Sequence, residues 1–174
     1  MHGQSEPLDQ DVLLIDSFTE RYSLSPSIDI HGIKPVIVGS GGAFIYCYDI
    51  ANGLLSVAFV PDDLPGDSWN EVCHAAIAAG MVLISDSLHE SYIAFDPKND
   101  RQSQIAMSVA GIKPTADSAE KRATMLTTIT KARFRKAKAV EHERTMRWLA
   151  LIRSGADLSD YDPSFQSCEY HSIY

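Results

Sequence analysis

Pro35-Val36-Ile37-Val38-Gly39-Ser40-Gly41-Gly42-Ala43-Phe44-Ile45-Tyr46-Cys47-Tyr48 is the stretch on which the fold turns. Val36-Ile37-Val38 is a β-branched run with the character of a buried strand. Four residues rich in glycine follow at once and let the chain leave the sheet abruptly. Beyond them two readings stay open. Ala43, Phe44, Tyr46, Cys47, Ile50, Leu54 and Leu55 admit a helix that ends near Asn52-Gly53. The aromatic and β-favouring residues Phe44 to Tyr48 admit a second strand that closes a hairpin over the glycines.

Upstream, Val12-Leu13-Leu14-Ile15 is a short apolar run that Arg21-Tyr22-Ser23-Leu24 can pair with across the polar residues between them. Downstream, Pro61 to Asp67 is a loop by composition. Asp67 or Ser68 caps a helix, with Glu71 placed as in a capping box and Val72, Ala75, Ala76 and Ala79 as its apolar face. This helix either runs on through Met81-Val82-Leu83-Ile84 to about residue 83 or yields to a strand there. Ser91 to Phe95 is a strand that stops at Asp96-Pro97. Residues 101–114 are read as a linker. Asp117 and Glu120 then cap a helix with no Gly or Pro before Gly155, a suitable C′ residue. Its length of about 37 residues spans about 55 Å at ~1.5 Å per residue.

The chain is 174 residues long with a formal net charge of −8. Residues 1–100 carry 15 Asp and Glu against Arg21, Lys34 and Lys98, a net −12. Residues 101–153 carry 12 Lys and Arg against Asp117, Glu120, Glu141 and Glu143, a net +8. The organisation expected is an acidic α+β body over 1–100, the linker, a long basic helix over 115–155, and an aromatic, acidic tail over 156–174. Such asymmetry marks a region that meets a charged partner, which can be the protein's own acidic body. No apolar run reaches the ~18 residues of a membrane span. The opening Met1 to Pro7 has neither the basic nor the apolar region of a secretory signal. Cys47, Cys73 and Cys168 are odd in number and scattered, which points to a reducing compartment, the cytoplasm.

From Val36 to Phe95 the order of elements resembles the C-terminal half of a proteasome β-subunit, an N-terminal-nucleophile hydrolase. The shared outline is a strand, a Gly-Ser-Gly turn, two helices near 43–55 and 68–83, a polar turn opening with Asp86, and a closing strand. The resemblance implies a layered sheet-and-helix fold, and it implies accessory catalytic positions at Ser40 and Asp86. A further family serine would fall near His89. The family's nucleophile-bearing half has no counterpart in the 35 residues before Val36, so the resemblance implies a hydrolase subunit that needs a partner chain.

No other motif is specific. Gly39 to Gly42 fits neither phosphate-binding glycine pattern. Cys73 and His74 are neighbours ~100° apart on a helix and cannot act as a nucleophile–base pair. Cys47 and Cys73 read as small core residues. Cys168-x-x-His171 is half a zinc pattern without its other half. Asp62, Asp63 and Asp67 lack EF-hand spacing, and His31, His89 and His142 stand apart from other ligand types. No metal and no cofactor is implied. The densest cluster is Lys131, Arg133, Arg135, Lys136 and Lys138, which surrounds its helix instead of forming a phosphate-tracking stripe. Nucleic-acid binding by this helix is the alternative, opposed by the acidic body. The favoured expectation is a non-catalytic assembly subunit, adaptor or inhibitor that binds a protein partner, foremost a second copy of itself. Arg133, Arg135, Lys136 and Lys138 are the expected polar contacts, with Phe134, Val140 and Trp148 as apolar anchors.

Overall fold

The computed structural model describes residues 9–29, 33–64, 68–85, 87 and 89–155. The fold is α+β, a six-stranded antiparallel sheet with four helices that include a long C-terminal one. In chain order these are α1 (Gln10–Tyr22), β1 (Ser27–Ile28), β2 (Pro35–Val38), β3 (Phe44–Asp49), β4 (Leu54–Phe59), α2 (Ser68–Ala78), β5 (Val82–Ser85), β6 (Ser91–Phe95), α3 (Asp100–Ala110) and α4 (Ser118–Arg153), with a 3-10 turn at Pro61–Asp63. The strand order across the sheet is β1-β2-β3-β4-β6-β5. The chain divides into two units, one ending at Arg133 and the other beginning at Phe134.

The glycine stretch closes a hairpin. Ile37 faces Ile45 and Val38 faces Phe44, so β2 and β3 are antiparallel neighbours, and β3 turns through Ile50–Gly53 into β4. The strand reading of Phe44 to Tyr48 therefore holds. The helix that the hydrolase-like outline places near 43–55 is replaced by two strands, because alternating residues of this stretch must serve two faces of a sheet. Gly39 has a steric reason to be glycine. A Cβ there would stand 1.9 Å from the Ala110 carbonyl oxygen at the end of α3. Gly41 and Gly42 have φ of 60° and 77°, the left-handed conformations that a tight turn requires.

Cross-strand pairing sorts the sheet into two unlike faces. Ile37, Ile45, Leu55, Val57, Phe59, Ile93 and Phe95 share one face and pack in a single buried cluster with Val12, Ile15 and Phe18 of α1, Ala106 and Ala110 of α3, and Met125 and Ile129 of α4. The opposite face carries Val38, Phe44, Tyr46 and Tyr92 around the small residues Ser56, Ala58 and Ala94. Tyr46 meets Phe44 at 5.6 Å and Tyr92 at 6.4 Å between ring centroids.

Three expectations are corrected. Val12–Ile15 and Arg21–Leu24 are not paired strands. Val12, Ile15, Phe18 and Thr19 are buried at helical spacing, and α1 ends where Ser23 turns left-handed at φ 52°. Leu24 donates its N–H back to the Thr19 carbonyl at 2.8 Å. Residues 101–114 are not merely a linker, because α3 occupies most of them. Its N-cap is Asn99, whose side chain accepts from the N–H groups of Arg101 and Gln102. Last, α2 stops at Ala78, so the helix that the hydrolase-like outline runs to 83 is corrected and the alternative, a strand there, holds. Gly80 takes φ 77° and the chain re-enters the sheet as β5. Asp67, the other candidate cap of α2, lies outside the described residues.

Candidate interaction surface

The face of α4 that completes the core is set by spacing. Arg122, Met125, Ile129 and Arg133 fall at intervals of three and four and so line up along one side. Met125 and Ile129 are 3% and 1% exposed. The two arginines at the ends of this row bind the acids of α1. Arg122 donates from Nε to Asp16 at 2.9 Å and reaches Glu20 at 3.5 Å. Arg133 holds Asp11 in a two-pronged contact, Nη2 to Oδ2 at 2.8 Å and Nη1 to Oδ1 at 3.3 Å, and pairs with Asp9. It also donates from Nη2 and Nε to the Ile33 carbonyl at 2.8 and 3.1 Å. Burial works against the charge on Arg133, but its bonds to Asp11 and Asp9 more than offset that and hold the guanidinium ionised. Part of the charge division along the sequence is thus settled inside the molecule.

Cys47 lies next to this cluster and donates to the Asp11 carbonyl at 3.2 Å. Burial, and then the negative charge of Asp11, push its thiol up to about 12. Cys47 is half-buried and packs against the core, and a thiol held protonated in this way is a poor nucleophile.

Beyond Arg133 the character of α4 changes. In Phe134–Arg153, Phe134 is 67% exposed, and Val140, Met146, Leu149 and Ile152 are exposed as well. Arg135, Lys136 and Lys138 are exposed, and Trp148 is half-buried. This segment carries six Lys and Arg against Glu141 and Glu143, a net +4. Arg147 and Glu143 approach at 3.5 Å one turn apart, both largely in solvent, a pair that contributes little. Gly155, at φ 68°, takes the predicted C′ position and bonds to the Ile152 carbonyl at 3.1 Å.

The predicted contact set therefore separates. Arg133 is engaged with α1, whereas Arg135, Lys136, Lys138, Phe134 and Val140 present their side chains to solvent. Met146 and Leu149 are exposed apolar residues as well. At ~100° per residue they fall outside the stripe that Phe134, Val140 and Trp148 share, so the sequence pattern does not single them out. Ser40 sits in the β2–β3 turn, donates its N–H to the Ala110 carbonyl at 2.8 Å, and is exposed. Asp86, its expected companion, lies outside the described residues, as do Asp67, His31, Cys168 and His171. Among the described residues no three of His, Cys, Asp and Glu converge on one point, and no helix is long and apolar enough to cross a membrane.

Comparison with protein-family models, with curated proteins and with solved structures finds no match to this chain.

Proposed function

We propose that this protein is a non-catalytic assembly subunit whose helical segment 134–153 docks on an acidic protein surface, that of a second copy of the chain. The observation that supports this is the exposure of Phe134, Val140, Met146, Leu149 and Ile152 on a helix that also carries six basic residues. A helix of this length gains most of its stability from packing an apolar face. The first 100 residues, at net −12, supply a surface of the opposite sign. In this reading Arg133 is not a partner contact but the residue that fastens α4 to α1. The contacts left for a partner are Arg135, Lys136 and Lys138, with Phe134, Val140 and Trp148 as the anchors.

The test is charge reversal. Arg135→Glu, Lys136→Glu and Lys138→Glu together should shift the protein towards smaller species than the wild type forms, while the circular dichroism spectrum keeps its helix signal. Raising salt should weaken wild-type association in the same direction. A triple variant that associates as wild type does would reject the reading. Duplex DNA, added in the same titration, should leave the wild-type sedimentation unchanged at moderate salt.

A further inference from the structure

The two ends of the sheet are not alike. At one end β1 has only two residues, Ser27–Ile28, directly after Pro26, and so offers almost no backbone to another strand. At the other end stands β5, Val82-Leu83-Ile84-Ser85, paired with β6 on one side and followed by no further strand among the described residues. Half of the N–H and C=O groups of a terminal strand point outward and can add a strand. Proteins usually blunt such edges with Lys, Pro, an inward charge or a short strand. Here Met81 to Ser85 contains no charge and no proline. Val82 is 59% exposed, Leu83 and Ile84 are exposed with it, and so is Ile77 in the last turn of the preceding helix. The one blunting device is a bulge between Leu83 and Ser85, which leaves Ile84 as the extra residue.

We infer that β5 is a second, separate interface and pairs antiparallel with β5 of another copy across a two-fold axis. The occupant follows from the edge itself. Outward backbone groups call for a strand, and a two-fold axis sets the strand opposite itself. Val82, Leu83 and Ile84 then meet the same uncharged residues, with no like charges opposed. The basic helical segment is a poor occupant of this edge, being helical and finding no carboxylate in β5. The pairing joins two six-stranded sheets into one continuous sheet. It is independent of the helix contact, and salt separates the two. Screening weakens the contact of basic helix with acidic surface, but relieves repulsion between two acidic bodies brought edge to edge.

The test is amide hydrogen exchange of the full chain at low micromolar and near-millimolar concentration, read beside sedimentation velocity. Exchange at residues 82–85 should slow by about tenfold or more at the higher concentration. That protection should survive in Phe134→Ser/Val140→Ser, persist in high salt, and vanish in Val82→Lys/Ile84→Lys with the fold intact by circular dichroism. Unchanged exchange at 82–85 across the concentration range overturns the inference, even if the lysine variant fails to fold. So does a folded lysine variant whose exchange pattern matches wild type. Association that Phe134→Ser/Val140→Ser abolishes, with residues 82–85 unprotected throughout, removes the edge contact and leaves the helix reading standing. The opposite pattern removes the helix reading alone.

Discussion

Helix α4 contains two stretches of the same regular structure with opposite side-chain environments. In Ser118–Arg133, Met125 and Ile129 are buried, and the flanking arginines bind carboxylates of α1. In Phe134–Arg153 the large apolar side chains are exposed, and the basic residues near its start lie in solvent. Both stretches are rich in good helix formers, so propensity does not distinguish them. What differs is whether the apolar residues have something to pack on. An exposed apolar set of this kind is what the proposed docking segment would offer a partner.

Ile129→Ala breaks the buried half and carries the largest expected effect. It should cost about 2–4 kcal/mol in urea or thermal unfolding, since the side chain is almost wholly enclosed and its removal leaves a cavity. A loss under half a kcal/mol would show that this stretch is no more committed to the core than the other. Arg133→Met comes next, at about 1–3 kcal/mol, because Asp11, whose side chain is only 12% exposed, loses its two-pronged partner. The conservative Arg133→Lys should recover only part of this, as lysine cannot make the two-pronged contact.

Cys47 reports on the same cluster. Its raised thiol means that its contribution to stability is present below the ordinary cysteine value and is lost as pH rises towards about 12. Alkylation of Cys47 in mildly alkaline buffer, followed by peptide mass spectrometry, should be slow in the native protein and slower in Arg133→Met, because the Arg133 charge favours the thiolate that Asp11 opposes. A faster rate in the variant would mean that losing the arginine opens this corner instead.

Legibility from sequence followed the same division. Strands β2 and β6 and the long helix rest on runs and periods that the residues announce: Val36 to Val38, Ser91 to Phe95, and the unbroken span to Gly155, whereas Phe44 to Leu55 read equally as helix or strand. α3 escaped because its buried side is partly polar. Gln102 is held by the Asp96 N–H at 2.7 Å and the Ala79 carbonyl at 2.8 Å, and Ser103 bonds to the Pro97 carbonyl, so no apolar period marks them. α1 was misread because Val12 to Ile15 is contiguous, which hides the helical spacing that Phe18 and Thr19 complete. The fastening role of Arg133 was not legible from its neighbours on the helix. Its partners Asp9 and Asp11 lie more than 120 residues away along the chain.

At the far end of the scale are changes in solvent. Val140→Ala should alter monomer stability by no more than about 0.5 kcal/mol, a direct contrast with Ile129→Ala. Asp117, hydrogen-bonded by Lys121 before the first turn of α4, has a carboxyl held below its ordinary value. Its small contribution is present above that value and lost as pH falls through the lowered one. Asp117→Asn should therefore remove this small contribution at neutral pH, flatten the acid limb of the stability profile slightly, and leave stability below the lowered value unchanged.

The most direct test of segment 134–153 as a docking element is sedimentation velocity of wild type beside Phe134→Ser/Val140→Ser across a wide concentration range. The wild type should associate, and the variant should shift towards smaller species while its unfolding midpoint, taken at low concentration, stays in place. A wild type that is monomeric throughout, or a variant that sediments as wild type does, would contradict the account.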